Sequence, residues 1–563
     1  MANKDVRRMD LFPKFISTKL TEATSLALGL IPVARSGIIA PIRPDLLAKV
    51  AAAWVRWDFT PSALLAISAR RVPDHLAVID ESGELTYDEL ERDVTALARA
   101  LAQRGVGERS RVGVLCRNHR GVLQALGATG RLGGDLVLLN TGLSGKQLEE
   151  VLTEQHITVL VVDGEFADVL PKDPDHKRLD GMLVIGGWDA KQLGADIDTV
   201  DDLIANAPAG SLPTRPRRGR TVVLTSGTTG SPKGATRPEP RNWMPASAIL
   251  SRIPLRTGET TVVAASLFHT WGFAGLQISL ALGATMVLRR KFAPADCLAD
   301  IERSKARVLV VVPVMLQRML ELPAAERTHD TSSLRIIAAS GSAIGAPLVK
   351  KVLDEFGPVL YNLYGSTEVS WVSIATPEEL RAHPATAGRA PVGTELALLD
   401  DDGNPVDGDD VGRVFVGNGM LFEGYTRAGE GKEVVRGMMC TGDLGHLDDD
   451  GLLYIDGRSD DMVVSGGENV YPGEVEDIIN GLDGVREVVV IGVDDDDFGA
   501  RLAAYVVRES NSTGEPVDTD SIRQHVKAHL ARFSVPRDVV FLDALPRNAT
   551  GKVVARELPA STE

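Results

Sequence analysis

Residues Thr225 to Thr236 read TSGTTGSPKGAT. Hydroxyls and glycines surround one lysine, Lys233, directly after the apolar run TVVL. Glycines let a backbone come close to phosphate oxygens, and Ser/Thr hydroxyls with backbone N–H groups supply donors. The lysine adds charge, so the stretch has the chemistry of a phosphate-gripping loop. It is not a Walker A loop. Counting from Gly227, the second glycine of G-x-x-x-x-G-K-[ST] falls on Pro232. Proline has no N–H to offer and fixes its own φ. The spacing therefore predicts an anion clamp of another construction or, taken alone, a solvated Gly/Ser/Thr turn.

Other segments concentrate similar groups: ASGSA (339–343), YGSTE (364–368), TGDLG (441–445), GRSDDMVVSGGENVYPGEVE (457–476) and LPRNATGK (545–552). Each has an ordinary reading when isolated. The Asp of TGD is a common turn residue, GGEN is a tight turn before a helix, and a lysine in a polar turn is usually solvated. Apolar residues dominate SLFHTWGFAGLQISLALGA (266–284), which holds one histidine, His269. A lone histidine is more often structural than functional.

The elements that must position these groups follow from the apolar pattern. VGVLC (112–116), DLVLLN (135–140), ITVLVVD (157–163) and GMLVIG (181–186) predict buried strands, as do TVVLTS, TVVAAS, ATMVL, RVLVVVP and LRIIAAS. Continuous Val/Ile/Leu runs separated by helices imply parallel sheets covered on both faces. Thr86 to Gly105 predicts an amphipathic helix with Leu90, Val94, Leu97 and Leu101 on one face. ANAPAGSLPTRPRRGR (205–220) is a surface connection. The last hundred residues change character. Strands such as VREVVVIGV, LAAYVV and DVVFL alternate with the helices GEVEDIINGL and TDSIRQHVKAHLARF. The latter helix is predicted to start near Thr519 or Asp520 and to bury Ile522, Val526, Leu530 and Phe533. This implies a small separate α+β unit beginning near GRSDD (457–461).

A chain of 563 residues implies two to four folding units. The net charge of −16 argues against nucleic-acid binding and against docking on anionic lipid by charge alone. Cys116, Cys297 and Cys440 lie far apart without CxxC spacing and read as buried thiols of a reducing compartment. The N-terminal stretch mixes apolar residues with Lys14, Lys19, Arg35 and Arg43. Its longest charge-free run, 23–34, is too short to span a bilayer. It reads either as an arm packed on the protein or as an amphipathic segment in contact with a membrane surface. The expected division is an arm over 1–45, a large domain over 46–459 and a small domain over 460–563.

Taken in order and spacing, the motifs resemble those of the adenylate-forming superfamily of acyl-CoA synthetases, adenylation domains and luciferases. Within it, the chain is most similar to fatty-acid and related acyl-CoA synthetases, over roughly residues 60 to 557. The resemblance implies an α/β fold: a large N-terminal domain of mostly parallel sheets flanked by helices, with a small distorted β-barrel, then a small mobile α+β C-terminal domain. It implies ATP, Mg²⁺ and coenzyme A as cofactors. A fatty acid joins ATP to give acyl-AMP and pyrophosphate, and the acyl group passes to the CoA thiol. Alternatives are a fatty-acyl-AMP ligase loading a carrier protein, or a ligase for aryl or other carboxylates. A luciferase-like oxygenase and a non-catalytic acyl-binding relative are more distant readings. The implied setting is cytoplasmic, with attachment to the inner face of a membrane left open, as is the oligomeric state.

Site residues follow from the same resemblance. Thr225, Ser226, Gly227, Thr228, Thr229, Gly230 and Lys233 resemble the loop on the β- and γ-phosphates. Gly341, Ser342 and Ala343 resemble the wall facing adenine and acyl group, and Tyr364, with Gly365 and Ser366, offers a flat face for adenine. Thr367 resembles the α-phosphate contact and Glu368 the Mg²⁺ carboxylate, a hard oxygen ligand for a hard ion. Asp443 and Arg458 resemble the ribose contacts. Lys552 resembles the lysine that enters from the small domain and neutralises charge between carboxylate and α-phosphate. Asp460 matches the hinge, after whose rotation Gly466 and Gly467 admit the pantetheine arm. His269 resembles the gate between carboxylate and thiol tunnel. The absence of an aspartate in 268–271 disfavours α-amino acid substrates. Trp271, Phe273, Leu276 and Leu280 either line an acyl pocket or belong to the core.

Overall fold

A computed structural model describes residues 22–39, 44–58, 60–171, 181–225, 233–238, 240, 242–406, 410–426, 431–458, 463–465, 468–470, 472–495, 499–509, 517–530, 534–548 and 551–560. The Val/Ile/Leu runs form two large sheets. One has eight strands, with the parallel neighbours Leu360–Tyr364, Ile336–Ala339, Val308–Val311, Thr260–Val263, Thr285–Leu288 and Leu76–Asp80 at its centre. Short antiparallel strands close both edges. The other has seven strands, and its parallel part runs Thr221–Thr225, Asp135–Leu138, Arg111–Leu115, Val159–Val162, Leu183–Gly186. These strands are buried on both faces, which their unbroken apolar sequences require.

One core joins the two sheets. Val112 and Val114 from one and Val308 and Ile336 from the other share it with the helices Tyr87–Gln103 and Arg120–Leu132. The first of these helices has the predicted face: Leu90, Val94, Leu97 and Leu101 are all buried. Each contributes on the order of 1.5–3 kcal/mol of burial. Its start is fixed by a capping box in which Thr86 Oγ1 accepts from the Glu89 N–H while Glu89 accepts from the Thr86 N–H.

A five-stranded antiparallel sheet, an open half-barrel, stands where the small distorted barrel was expected. The C-terminal unit is α+β. Val485–Asp495, Gly499–Arg508 and Asp538–Leu542 form a three-stranded sheet with Pro472–Asn480 and Thr519–His529 packed on it. The last helix starts at Thr519, and its cap, expected near Thr519 or Asp520, is Asp518, whose carboxylate accepts from the Ser521 N–H. Ile522 and Val526 are buried, Leu530 is the C-cap, and Phe533 lies outside the described residues.

Of the two readings of the arm, packing on the protein describes Gly29–Ile38. Helix Glu22–Ser36 lies against helix Met244–Arg252, with Gly29, Val33 and Ser36 facing inward at helical spacing. The next helix, Pro44–Trp57, buries Ala53 and Trp57 against Ala63 and Ala66. No helix among the described residues is long and apolar enough to cross a membrane. The three cysteines are buried free thiols.

Candidate active site

The central strands of the eight-stranded sheet run parallel, so their carboxyl ends open on one side. Side chains following four of them meet there, in the crevice where open α/β sheets hold ligands. Ser340 and Gly341 follow Ile336–Ala339, Gly365 follows Leu360–Tyr364, Val312 follows Val308–Val311, and His269 lies beyond Thr260–Val263. All line one cleft of about 3920 Å³ between the large and small units.

Tyr364 and Asp443 form the polar wall. The Tyr364 hydroxyl donates to an Asp443 carboxylate oxygen and approaches Thr441 Oγ1 at 3.3 Å. Burial, with the Asp443 charge beside it, pushes the phenol well above its ordinary range, so it remains a donor. Asp443 is paired across the half-barrel with Arg458, which brings two predicted ribose contacts to neighbouring strand positions. Gly442 between Thr441 and Asp443 sits at φ +91°, in the left-handed region that glycine tolerates.

Thr367 and Glu368 lie at the next turn. Thr367 Oγ1 is 3.0 Å from Thr270 Oγ1. The Glu368 carboxylate accepts from Tyr425 Oη at 2.7 Å and from Ser366 Oγ at 2.8 Å. Each oxygen keeps a further lone pair, and the side chain is half-buried beside the cleft. An all-oxygen donor set with one carboxylate suits Mg²⁺, which binds through one or two carboxylates plus substrate phosphates. Gly365 permits this turn: a Cβ there would stand 2.4 Å from Ser370 O and 2.8 Å from Trp371 Cα.

Lys552 reaches the same cleft from the small unit. Its turn is closed locally, with Lys552 N–H donating to Asn548 Oδ1 at 2.9 Å and Asn548 N–H to Lys552 O at 2.9 Å. Gly551, at φ +82°, abuts the large unit; a Cβ there would fall 2.6 Å from Val314 Cγ1. Arg486 to Glu321 at 2.8 Å and Lys351 to Glu509 at 3.4 Å bridge the two units nearby.

His269 is the N-cap residue of helix Thr270–Leu282, tilted against Phe268 with ring centroids 4.2 Å apart. Its Nε2 is shielded from solvent and has no hydrogen-bond partner among the described residues. Burial pushes the imidazole down to about 4, so it is neutral near pH 7. Because the folded value lies below the ordinary 6.5, the unfolded chain binds more protons between these pH values. The stabilisation from keeping His269 neutral is present above pH 6.5 and is lost as the pH falls toward 4. His269→Asn should flatten the decline of the thermal midpoint across that window; an unchanged decline in the variant would remove the assignment.

Gly341, Ser342 and Ala343 line the cleft. Thr225 and Lys233 are paired at the base of a hairpin, Thr225 opposite Lys233. Between them, Ser226, Gly227, Thr228, Thr229 and Gly230 lie outside the described residues, as do Asp460, Gly466 and Gly467. The apolar helix Thr270–Leu282 divides differently from its sequence pattern. Trp271 lines the cleft, whereas Phe273, Leu276 and Leu280 are buried in the core. The lining face includes Trp271, Ala274, Gln277, Ile278 and Ala281. Sequence reasoning also missed Thr270, Tyr425 and Thr441, which hold the motif residues; they carry no local signature because their partners are 57 to 97 residues away.

A family model described as AMP-binding enzyme matches residues 65–426, and one described as AMP-binding enzyme C-terminal domain matches residues 474–552. The chain is 32% identical over 491 residues to the indoleacetate–CoA ligase of Aromatoleum aromaticum, covering 85% of this chain and 94% of that one. It is 32% identical over 500 residues to the feruloyl-CoA synthase of an Amycolatopsis species, covering 87% and 96%. Among solved structures, the o-succinylbenzoate CoA synthetase of Bacillus subtilis in complex with the acyl-adenylate intermediate OSB-AMP aligns with a TM-score of 0.75 at 27% identity, over 89% of this chain and 99% of that one.

Proposed function

The chain belongs to the AMP-binding enzyme family, and on that premise we propose that it is an AMP-forming acid–thiol ligase using ATP, Mg²⁺ and coenzyme A. The observation that carries this reading is a single cleft lined by Tyr364, Thr367, Glu368, Asp443, Arg458 and, from the other unit, Lys552.

In the first step a carboxylate oxygen of the substrate attacks the α-phosphorus of ATP. The bond to the bridging β-phosphate oxygen breaks, and pyrophosphate leaves. Two anions meet, so the barrier falls when cations and donors are already aimed at the developing charge. Asp443 accepts from the ribose hydroxyls with Arg458 beside it, and Tyr364 presents its ring to adenine. Thr367 donates to the α-phosphate, and Lys552 neutralises charge between that phosphate and the carboxylate. Glu368 would hold Mg²⁺, whose chemistry is to screen phosphate charge. In the second step the CoA sulfur attacks the acyl carbonyl and AMP leaves. Neutral His269, which lines the cleft, forms the wall between these two approaches. Movement of the small unit at Asp460, admitting the thiol past Gly466 and Gly467, is the proposed link between steps.

The substrate we propose is an apolar monocarboxylic acid of the aryl or cyclic kind. The indoleacetate and feruloyl relatives named above support that class, the o-succinylbenzoate enzyme, whose acid carries two carboxylates, supports only its aryl part, and none of them gives the fatty-acid expectation specific support. The face of helix Thr270–Leu282 on the cleft supports it too, since Trp271, Ala274, Gln277, Ile278 and Ala281 carry no charge to pair a second carboxylate or an ammonium. Pyrophosphate release should be fastest with arylacetic, arylpropenoic or alicyclic propanoic acids, slower with linear acids of equal carbon number, and CoA-dependent in steady turnover. Faster turnover of linear acids would restore the fatty-acid assignment. Release that halts after one equivalent whether or not CoA is present would favour the carrier-protein alternative.

A further inference from the structure

We propose that the N-terminal helix Glu22–Ser36 is a specificity element: it forms the far end of the acyl compartment and limits the size of acid the enzyme accepts. This rests on the acyl-activating reading above. The family match begins at residue 65, so this wall is supplied by a segment outside it.

Helix Thr270–Leu282 runs between the two ends of the compartment. At its start, Thr270 meets Thr367, where the carboxylate reacts. Its lining face, from Trp271 to Ala281, extends for ten residues, about 15 Å at the helical rise. At its end, Gly258 N–H donates to Leu282 O at 3.1 Å, and Thr257 N–H donates to Ser36 O at 2.8 Å. The C-terminus of the N-terminal helix is thus tied beside the far end of this wall. Arg71 Nη2 to Gly37 O at 3.4 Å adds a second tie.

The N-terminal helix is held at Gly29 and Val33 as well. Ser247 Oγ donates to Gly29 O at 2.7 Å, a side-chain bond made inside the protein. Glycine at 29 permits the approach, since a Cβ would lie 2.6 Å from Met244 Sδ. Val33 is only 3% exposed, and Val33 and Ile38 line the same cleft as Trp243, Ala246, Ile249 and Ile278. These six side chains are apolar. They can exclude water from a hydrocarbon or ring but cannot select by charge, so selection there is by length and bulk. Leu30 and Ile31, on the outward face, are 36% and 47% exposed and take no part.

The test is the dependence of kcat/KM for pyrophosphate release on chain length in a series of ω-phenylalkanoic acids, with the full chain. Each methylene buried should raise kcat/KM about fourfold, until the acid meets the helix and the rise stops. Val33→Trp should move that break to a shorter acid and cut the long-to-short ratio at least tenfold. Ile38→Ala, at a half-buried position, should move it to a longer acid. If Val33→Trp does not fold, Ile38→Ala decides alone. A break at the same acid in every folded variant overturns the role of the helix while leaving the ligase reading intact. Absence of pyrophosphate release with every acid overturns the ligase reading itself.

Discussion

Replacing Lys552 with alanine should slow acyl-adenylate formation about 10²–10³-fold, the usual loss when one preorganised electrostatic group is removed. Thioester formation from supplied acyl-adenylate should stay within a few-fold of the parent. The asymmetry follows from charge. The first step brings a carboxylate against a triphosphate, whereas the second begins with a neutral thioester-forming carbonyl and an adenylate already made. The turn that carries Lys552 is self-contained, closed by the paired bonds between Asn548 and Lys552 and seated on Val314 through Gly551. Truncating an exposed side chain leaves that seat in place, so the loss reports on the ammonium group. Single-turnover measurement of the two half-reactions is the check; equal losses in both would remove Lys552 from the adenylation step.

Glu368→Gln should be nearly as damaging, by about 10²-fold in kcat/KM for ATP, with the loss concentrated in the dependence on magnesium. Glutamine keeps the shape. The Ser366 and Tyr425 hydroxyls can turn to donate or accept, so the amide should occupy the position the carboxylate now holds. What disappears is a negative charge and a hard oxygen ligand. Calorimetric titration of ATP should show affinity in the parent that strengthens with Mg²⁺, and a much weaker magnesium effect in the variant. If ATP affinity rose equally with Mg²⁺ in both proteins, Glu368 would not be the metal-binding carboxylate.

Both substitutions sit in motifs legible in the sequence, and the reason is local. Tyr364 to Glu368 is one strand end and its turn. Asn548 to Lys552 is one turn held by its own backbone bonds. The buried strands and the helix Tyr87–Gln103 were equally legible, because a strand buried on both faces reads as a short unbroken apolar run and a helix buried on one face leaves a periodicity of three to four residues. Helix Thr270–Leu282 was not. It is apolar on all sides, so its sequence could not say whether Phe273 or Ala274 faces the cleft. That choice is made by the flanking strands and by helix Pro61–Arg71, and it assigned Phe273, Leu276 and Leu280 to the core and Trp271, Ala274, Ile278 and Ala281 to the cleft.

The sequence by itself determined the parallel α/β architecture, the reactive motifs and their order, because these depend on backbone conformation and side-chain chemistry within a few residues. Only the tertiary structure decided which distant hydroxyls hold Thr367 and Glu368, which face of an all-apolar helix lines the cleft, and that the N-terminal helix packs beside the end of that helix. Those outcomes depend on contacts between segments up to about 220 residues apart, and such contacts leave no periodic trace in either segment alone.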